Sequence, residues 1–140
     1  MAWIKDRMVA AGQISTRKLT VAPVIPDFTA AVETGNTISV VIQMVDPDGN
    51  SVARAVDLLC VIRKSDGLVA TVSEFTLAET GDGTEVSTTA KPSLIITTDA
   101  EGQCTIAVTD VSGAYTAGAY LEVTPLNTLG TPGLVTLDFN

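Results

Sequence analysis

A period-two alternation of apolar and polar residues, interrupted at short intervals by turn sequences, limits most strongly what this chain can fold into. Residues 37–45, 103–109 and 119–124 alternate in this way. Such a period places one face of a β-strand on a core and the other face outside it. Valine, isoleucine and threonine, whose branched Cβ atoms favour pleated strands, number 46 of the 140 residues. The sequence therefore predicts an all-β fold.

The turn sequences combine aspartate with a glycine one to three residues later. Aspartate accepts hydrogen bonds from nearby backbone N–H groups, and glycine supplies the positive φ that tight turns need. The residues of these fold turn motifs are Asp46, Asp48, Gly49, Asn50, Asp99 and Gly102. Their spacing predicts an antiparallel β-sandwich. Strands are expected at residues 37–45, 56–64, 68–77, 93–98, 103–109, 119–124 and 134–139, with the longest loop at 80–91.

The apolar positions of the alternating runs define the predicted core. The residues expected to point inward are Ile38, Val40, Ile42, Met44, Val56, Leu58, Cys60, Ile62, Cys104, Ile106, Val108, Leu121 and Val123. Some strands are apolar on the opposite face as well, at Val41 and Leu59 for example, which predicts that the arm or a neighbouring subunit covers part of that face. The two cysteines could form a disulfide if their strands are neighbours, but we expect free thiols.

The first 31 residues differ in character from the rest. Residues 1–18 contain four basic and one acidic residue, a net charge of +3, whereas residues 19–140 carry −11. Pro23 and Pro26 favour an extended segment over a helix or a central strand. We interpret residues 1–31 as an extended N-terminal arm and residues 32–140 as the sandwich domain. The arm residues expected to bind a partner are Trp3, Ile4, Lys5, Arg7, Met8, Arg17 and Lys18.

Composition argues against several classes of function. The chain has no histidine, which removes histidine-based general-base catalysis and the zinc sites that need imidazole. A net charge of −8 argues against nucleic-acid binding through phosphate neutralisation. No run approaches the roughly 18 apolar residues of a membrane span, and residues 1–12 do not predict a secretion signal. We expect no enzymatic activity, no cofactor, and neither nucleic acid nor membrane as a partner.

The first turn also resembles the opening of a calcium-binding loop. Asp46, Asp48 and Asn50 would supply oxygen ligands, with Asp57 at the distal ligand position. The helix-loop-helix version of that loop needs glycine at its sixth position, where this chain has Ser51. We therefore interpret the sequence as a hairpin turn and expect no metal site.

Three segments resemble parts of one known family. They are residues 38–53 (ISVVIQMVDPDGNSVA), 98–109 (TDAEGQCTIAVT) and 117–124 (AGAYLEVT). In order, they are similar to the first half, the second half and the closing strand of a bacterial immunoglobulin-like repeat of the invasin/intimin type. The chain departs from the family at Ser51, where proline is usual, and at Arg54 and Ala55, where a glycine is usual. The resemblance spans residues 36–124 and implies an antiparallel Ig-like β-sandwich.

The resemblance also implies a range of functions, because such domains occur in adhesins, surface enzymes and virion proteins of tailed bacteriophages. A short chain with a basic arm and no export signal favours the virion. We expect a capsid decoration or cement protein on the phage head, bound through its arm to the major capsid protein or another virion protein. It would act in a homo-oligomer or multi-copy assembly, in virions assembled in the host cytoplasm. The alternatives are a tail or neck structural protein, or an adhesion module that binds a host receptor or glycan through exposed loops.

Overall fold

Two antiparallel β-sheets packed face to face make up the structure. The computed structural model of the protein describes residues 23–86, 92–115 and 118–139. The strands are β1 (Ile25–Ala30), β2 (Thr37–Val45), β3 (Asp57–Arg63), β4 (Phe75–Gly81), β5 (Gly83–Glu85), β6 (Ser93–Thr98), β7 (Gln103–Asp110), β8 (Ala119–Leu126) and β9 (Gly133–Leu137). These residues contain no helix, and so none long and apolar enough to cross a membrane.

The order of the strands is that of an immunoglobulin-like sandwich. One sheet has the order β1-β2-β7-β4 and the other has the order β5-β6-β3-β8-β9. The first order matches the ABED sheet of an immunoglobulin constant domain, and β3-β8-β9 matches its CFG sheet. Strands β5 and β6 extend the second sheet beyond β3. The predicted antiparallel Ig-like β-sandwich is confirmed.

Every side chain that the alternation predicts to point inward is buried. The most exposed of them is Val56, at 5 %, and most are at 0 %. Both sheets contribute to one hydrophobic cluster, in which the rings of Phe75 and Phe139 lie 5.5 Å apart between centroids. Burying a side chain of this size contributes about 1.5–3 kcal/mol to stability, so the alternating strands supply most of the driving force for folding.

The predicted strand at residues 68–77 is wrong in its first half, because β4 begins only at Phe75. A tight turn precedes it. The Glu74 carboxylate accepts hydrogen bonds from the N–H (2.8 Å) and hydroxyl (3.0 Å) of Thr71. The N–H groups of Glu74 and Phe75 both donate to the Thr71 carbonyl. These local bonds interrupt the predicted strand, and the residues before them pair instead with the end of β3, where Val69 forms a bridge with Arg63. Three apolar residues of the predicted strand stand exposed, namely Leu68, Val69 and Val72.

The predicted loop at residues 80–91 is also wrong in its first part. Strand β4 runs to Gly81, and after one residue the chain enters the other sheet as β5. That residue, Asp82, has a φ of 64°, and its carbonyl accepts the N–H of Asp99. A Cβ on Gly83 would lie 2.8 Å from the Cβ of Cys104, so glycine is needed at the crossing. Residues 87–91 lie outside the described residues.

The C-terminal part of the predicted arm, which the structure describes from residue 23, contributes a strand to the first sheet. Residues 25–30 form β1 and pair with β2 along their whole length, and Pro26 is tolerated there because β1 is an edge strand. Just before β1, the N–H of Val24 donates to the carbonyl of Leu129, and the N–H of Thr131 donates to the carbonyl of Val24. Residues 1–22 lie outside the described residues, and they join the sandwich beside the loop that contains Leu129.

Candidate docking surfaces at the two ends of the sandwich

The two ends of the sandwich differ in chemistry. The loops after β2, β6 and β8 and the crossing from β4 to β5 form one end of the sandwich, which we call the acidic end. The loops after β1, β3 and β7 and the residues after β9 form the opposite end, which we call the apolar end. The charged residues at the acidic end are Asp46, Asp48, Arg54, Asp57, Asp82, Asp99 and Glu101. Six of these seven are acidic, which sets the sign of this end.

The first predicted turn is a hairpin closed by the Asp46 side chain. The Asp46 Oδ1 atom accepts the N–H groups of Asp48 (3.0 Å) and Asn50 (2.9 Å). The backbone of Asp46 donates to the Asn50 carbonyl and accepts from the N–H of Gly49. The backbone hydrogen bond from Asn50 lowers the pKa of the Asp46 carboxyl. This carboxylate therefore serves the turn.

The second predicted turn repeats this geometry. The Asp99 Oδ1 atom accepts the N–H groups of Glu101 (3.0 Å) and Gln103 (2.8 Å). The N–H of Gly102 donates to the Asp99 carbonyl. Gly49 and Gly102 occupy the same position with φ values of 86° and 79°, as in a type I turn followed by a glycine bulge. Within the described ranges, no three metal-ligating side chains come together.

The two cysteines are free, buried thiols, as expected. Burial, together with the nearby thiol of Cys104, raises the pKa of Cys60 well above its ordinary value. Burial and the carboxylates of Glu79, Asp99 and Asp82 raise the pKa of Cys104 to about 12. Because the thiolate is the reactive form of cysteine, neither side chain is an activated nucleophile.

Alkaline pH should therefore destabilise the fold. A thiol in the unfolded chain has its ordinary pKa of 9.0, whereas the pKa of folded Cys104 is about 12. Between these values the folded state holds more protons, so the free energy of unfolding should fall by about 1.4 kcal/mol per pH unit for this thiol. Urea denaturation from about pH 8 to pH 11 measures the slope. The Cys104→Ala variant, which keeps Cys60 and the other titrating side chains, should show a shallower slope, and equal slopes would contradict the assignment.

Exposed apolar side chains concentrate at the apolar end. Eight large hydrophobic side chains of the described residues are exposed, by between 47 % and 87 %. Five of them lie on the loops of this end, and we call them the apolar patch: Val32, Leu68, Val69, Val72 and Val111. Alternation within strands could not reveal the patch, because all five residues lie in loops. The one sequence feature that pointed to the patch is the apolar run that begins at Leu68, directly after the turn at Asp66 and Gly67.

Hydrogen bonds hold these loops in fixed relative positions. The N–H of Asp110 donates to the Asn36 carbonyl, and the N–H of Val111 donates to the Glu74 carbonyl. The buried Asp110 carboxylate accepts three hydrogen bonds from the loop that follows it, including the N–H of Tyr115 at 3.0 Å. The Tyr115 hydroxyl donates to Glu74. The patch therefore rests on a connected polar network.

A cleft of about 300 Å³ adjoins the patch between the end of β1 and the start of the C-terminal residues. Its floor includes the buried side chains of Ile38 and Leu137, and its rim includes Val32 and Asp138. A second cleft, of about 230 Å³, lies at the acidic end, where an Arg54 guanidinium nitrogen donates to the Thr128 hydroxyl at 3.0 Å.

The structure places the predicted site residues in two groups. The turn residues Asp46, Asp48, Gly49, Asn50, Asp99 and Gly102 come together at the acidic end, where they shape two neighbouring turns. The predicted partner-binding residues Trp3, Ile4, Lys5, Arg7, Met8, Arg17 and Lys18 lie outside the described residues. Their role stays a prediction.

Comparison with known proteins supports the fold. No protein-family model matches the chain, and no curated protein matches it. The Yersinia pseudotuberculosis adhesin InvE is similar in structure, with a TM-score of 0.56 and 19% sequence identity over 85% of this chain and 32% of the adhesin chain. A Parabacteroides merdae β-glucuronidase matches with a TM-score of 0.46 and 13% identity over 85% of this chain and 12% of the enzyme chain. The chain thus spans a minor part of either protein.

Proposed function

We propose that the chain is a non-enzymatic structural protein of a bacteriophage particle, a capsid decoration protein attached to the head through its N-terminal segment. The observation that carries the proposal is the contrast between the acidic sandwich and residues 1–22, a basic and apolar segment that joins it beside Leu129. A compact domain with a chemically distinct terminal segment suits a protein that is held on a larger assembly.

Both charge and apolar surface would contribute to attachment. Lys5, Arg7, Arg17 and Lys18 would face acidic groups of the shell, and each exposed ion pair contributes only about 0–1 kcal/mol. Apolar side chains such as Trp3 would add more through burial. We therefore propose an attachment that is partly electrostatic and mainly hydrophobic.

The environment of three buried ionisable side chains supports the proposal of a non-enzymatic role. The Asp110 carboxylate is occupied by three hydrogen bonds that order a loop. The thiols of Cys60 and Cys104 stay protonated at neutral pH because burial raises the pKa of both. These groups stabilise the sandwich.

Salt should weaken attachment only in part. The Debye screening length falls from about 10 Å at 0.1 M to about 3 Å at 1 M salt, which removes most of the attraction between exposed charges. Salt does not weaken the burial of apolar side chains. Replacing Lys5, Arg7, Arg17 and Lys18 with glutamine should remove most of the salt dependence. Replacing Trp3 with alanine should weaken binding at every salt concentration. Co-sedimentation of the tagged full chain with phage particles measures both effects.

A deletion provides the control. It should end at residue 22, because β1 begins at Ile25 and a longer deletion would remove an edge strand. The shortened protein should keep its melting transition and lose its attachment. Full incorporation of this variant into particles would rule out residues 1–22 as the anchor. Immunogold labelling of particles separates a head position from the alternative tail or neck position.

The second candidate function is an adhesion module. The five exposed apolar residues of the apolar patch favour it, as does the likeness in fold to an adhesin. In that case the apolar end would contact a host receptor or glycan. Binding of the purified full chain to host cells, abolished by Leu68→Ser, would support this function over decoration.

A further inference from the structure

The apolar patch has the character of a docking surface. Val32 is 87 % exposed, Leu68 is 62 % exposed and Val72 is 60 % exposed. Exposed apolar surface concentrated at one end of a domain is a candidate place for another molecule to bind. The hydrogen bonds from Asp110 to Asn36 and from Val111 to Glu74 already fix the loops relative to one another, so binding there would cost little conformational freedom.

Residues 1–14 of the chain have the composition that this surface fits. They contain the only tryptophan, Trp3, and further apolar side chains such as Ile4 and Met8, next to Lys5 and Arg7. They therefore offer apolar side chains and positive charge within a short stretch.

The charge of the apolar end complements this composition. Among the described residues, its cations are Arg63 and Lys64, and each is paired with a carboxylate, at 3.3 Å and 3.5 Å. Asp66 and Asp138 add further negative charge. The described part of the acidic end, by contrast, offers charge but only one large exposed apolar side chain, Leu129. Of the two ends, the apolar end is the one that matches the segment in both respects.

The place where the segment joins the sandwich favours binding between copies. Residues 1–22 join at the acidic end, through Val24, and the strands that separate the two ends are up to nine residues long, or about 30 Å. The direct route back runs between β1 and β9. At the start of this route, Phe28 packs so closely on Gly133 that a Cβ on the glycine would lie 2.7 Å from the ring, so a returning segment would have to pass over the outside of the two strands. An extended segment of this length reaches about 70 Å, enough to meet an adjacent molecule.

We infer that residues 1–14 of one copy dock on the apolar patch of a neighbouring copy and so link the copies head to tail. This inference rests on the proposed function: on the particle, the neighbouring copy would supply part of the acidic and apolar surface that the attachment segment binds, beside the shell itself. A contact of this kind joins different surfaces of identical chains and builds rings or open rows, which suits a protein present in many copies on a particle.

The single tryptophan makes the inference testable in the intact chain. The full protein is examined alone in solution over a wide concentration range by light scattering, and the emission maximum of Trp3 is recorded in parallel. We expect the mean mass to rise with concentration and the emission to shift to shorter wavelengths over the same range. Leu68→Ser and Val72→Ser should each move the midpoint to a concentration at least about tenfold higher, because a buried aliphatic side chain is lost from the contact.

Matched substitutions outside the patch serve as controls. Leu129 and Leu134 are both 60 % exposed, close to the 62 % of Leu68, and lie outside the apolar end. Leu129→Ser and Leu134→Ser should move the midpoint less than about twofold. Melting curves establish that all four variants are folded.

Three results would overturn the inference. The first is a mass that stays monomeric at all concentrations with Trp3 emission typical of exposed indole. The second is a shifted emission that does not depend on concentration, which would place the segment on its own copy. The third is equal effects of the patch and control variants. Failure of this inference is distinct from failure of the proposed function, because the proposed function is measured on particles. If the Trp3→Ala variant loses particle binding while Leu68→Ser has no effect on association in solution, the decoration function stands and the head-to-tail link between copies is ruled out.

Discussion

Replacing Ile106 or Ile42 with alanine should lower the free energy of unfolding by about 2–5 kcal/mol. Both side chains are 0 % exposed and sit at the centre of β7 and β2. The loss combines the removed apolar burial with the cavity that remains, because packed interiors relax only in part. For a domain whose total stability is about 5–15 kcal/mol, such a loss threatens folding. Urea denaturation monitored by circular dichroism measures it.

An isoleucine on the other face of a strand provides a control with the same chemical change. Ile95 is only half-buried on the outer face of β6, next to the fully buried Ile96. Ile95→Ala should cost about 1 kcal/mol, since less apolar area leaves water at that position. A loss at Ile106 as small as about 1 kcal/mol would contradict the buried face assigned to β7, because a slip of one residue exchanges the two faces of a strand.

Replacing Gly102 with alanine should be far more destabilising than replacing Gly49. Both glycines occupy the same turn position with positive φ, which costs any other residue about 1–2 kcal/mol. A Cβ on Gly102 would lie 2.1 Å from the carbonyl oxygen of Val52, whereas a Cβ on Gly49 would meet nothing within 4 Å. Displacing a packed backbone segment should add at least about 2 kcal/mol at Gly102.

The pair of variants separates the two causes. Thermal melting of Gly49→Ala reports the backbone conformation alone, and the difference between the variants reports the close approach to Val52. A Gly102→Ala variant as stable as Gly49→Ala would mean that residues 52–54 are free to move away. We expect it to melt at a clearly lower temperature.

Period-two alternation predicted the buried faces of β2, β3, β7 and β8 correctly because alternate side chains of each strand enter the core, although Val61 on the outer face of β3 is buried as well. The turns around Asp46 and Asp99 were also predictable, since aspartate and glycine act there through bonds between residues at most four apart. The resemblance added the sandwich topology, which no local pattern contains.

The remaining errors of the sequence-based prediction arise where contacts between distant residues, or competing local contacts, determine the structure of the backbone. The exposed run at Leu68 and Val69 pairs back on the end of β3, through the bridge between Val69 and Arg63, and the Thr71–Glu74 turn then separates it from β4. Strand β5 is polar and only three residues long, so it depends on pairing with β6. The apolar patch could not be predicted, because its members come from three loops that only the folded sheets bring to one end.

The edge strand β1 has a consequence for how densely such molecules can be crowded. Pro26 offers no N–H along this edge, and the N–H of Phe28 is already bonded to the Asp27 side chain at 3.1 Å. On the same side, Phe28 closes against Gly133 of the other sheet, and on the opposite side the chain passes from β4 into β5 without a loop. Open edges are where sheets of separate molecules fuse into aggregates. An edge blocked in this way should not pair with the edge strands of neighbouring molecules to form a continuous cross-molecular sheet, even at high local concentration.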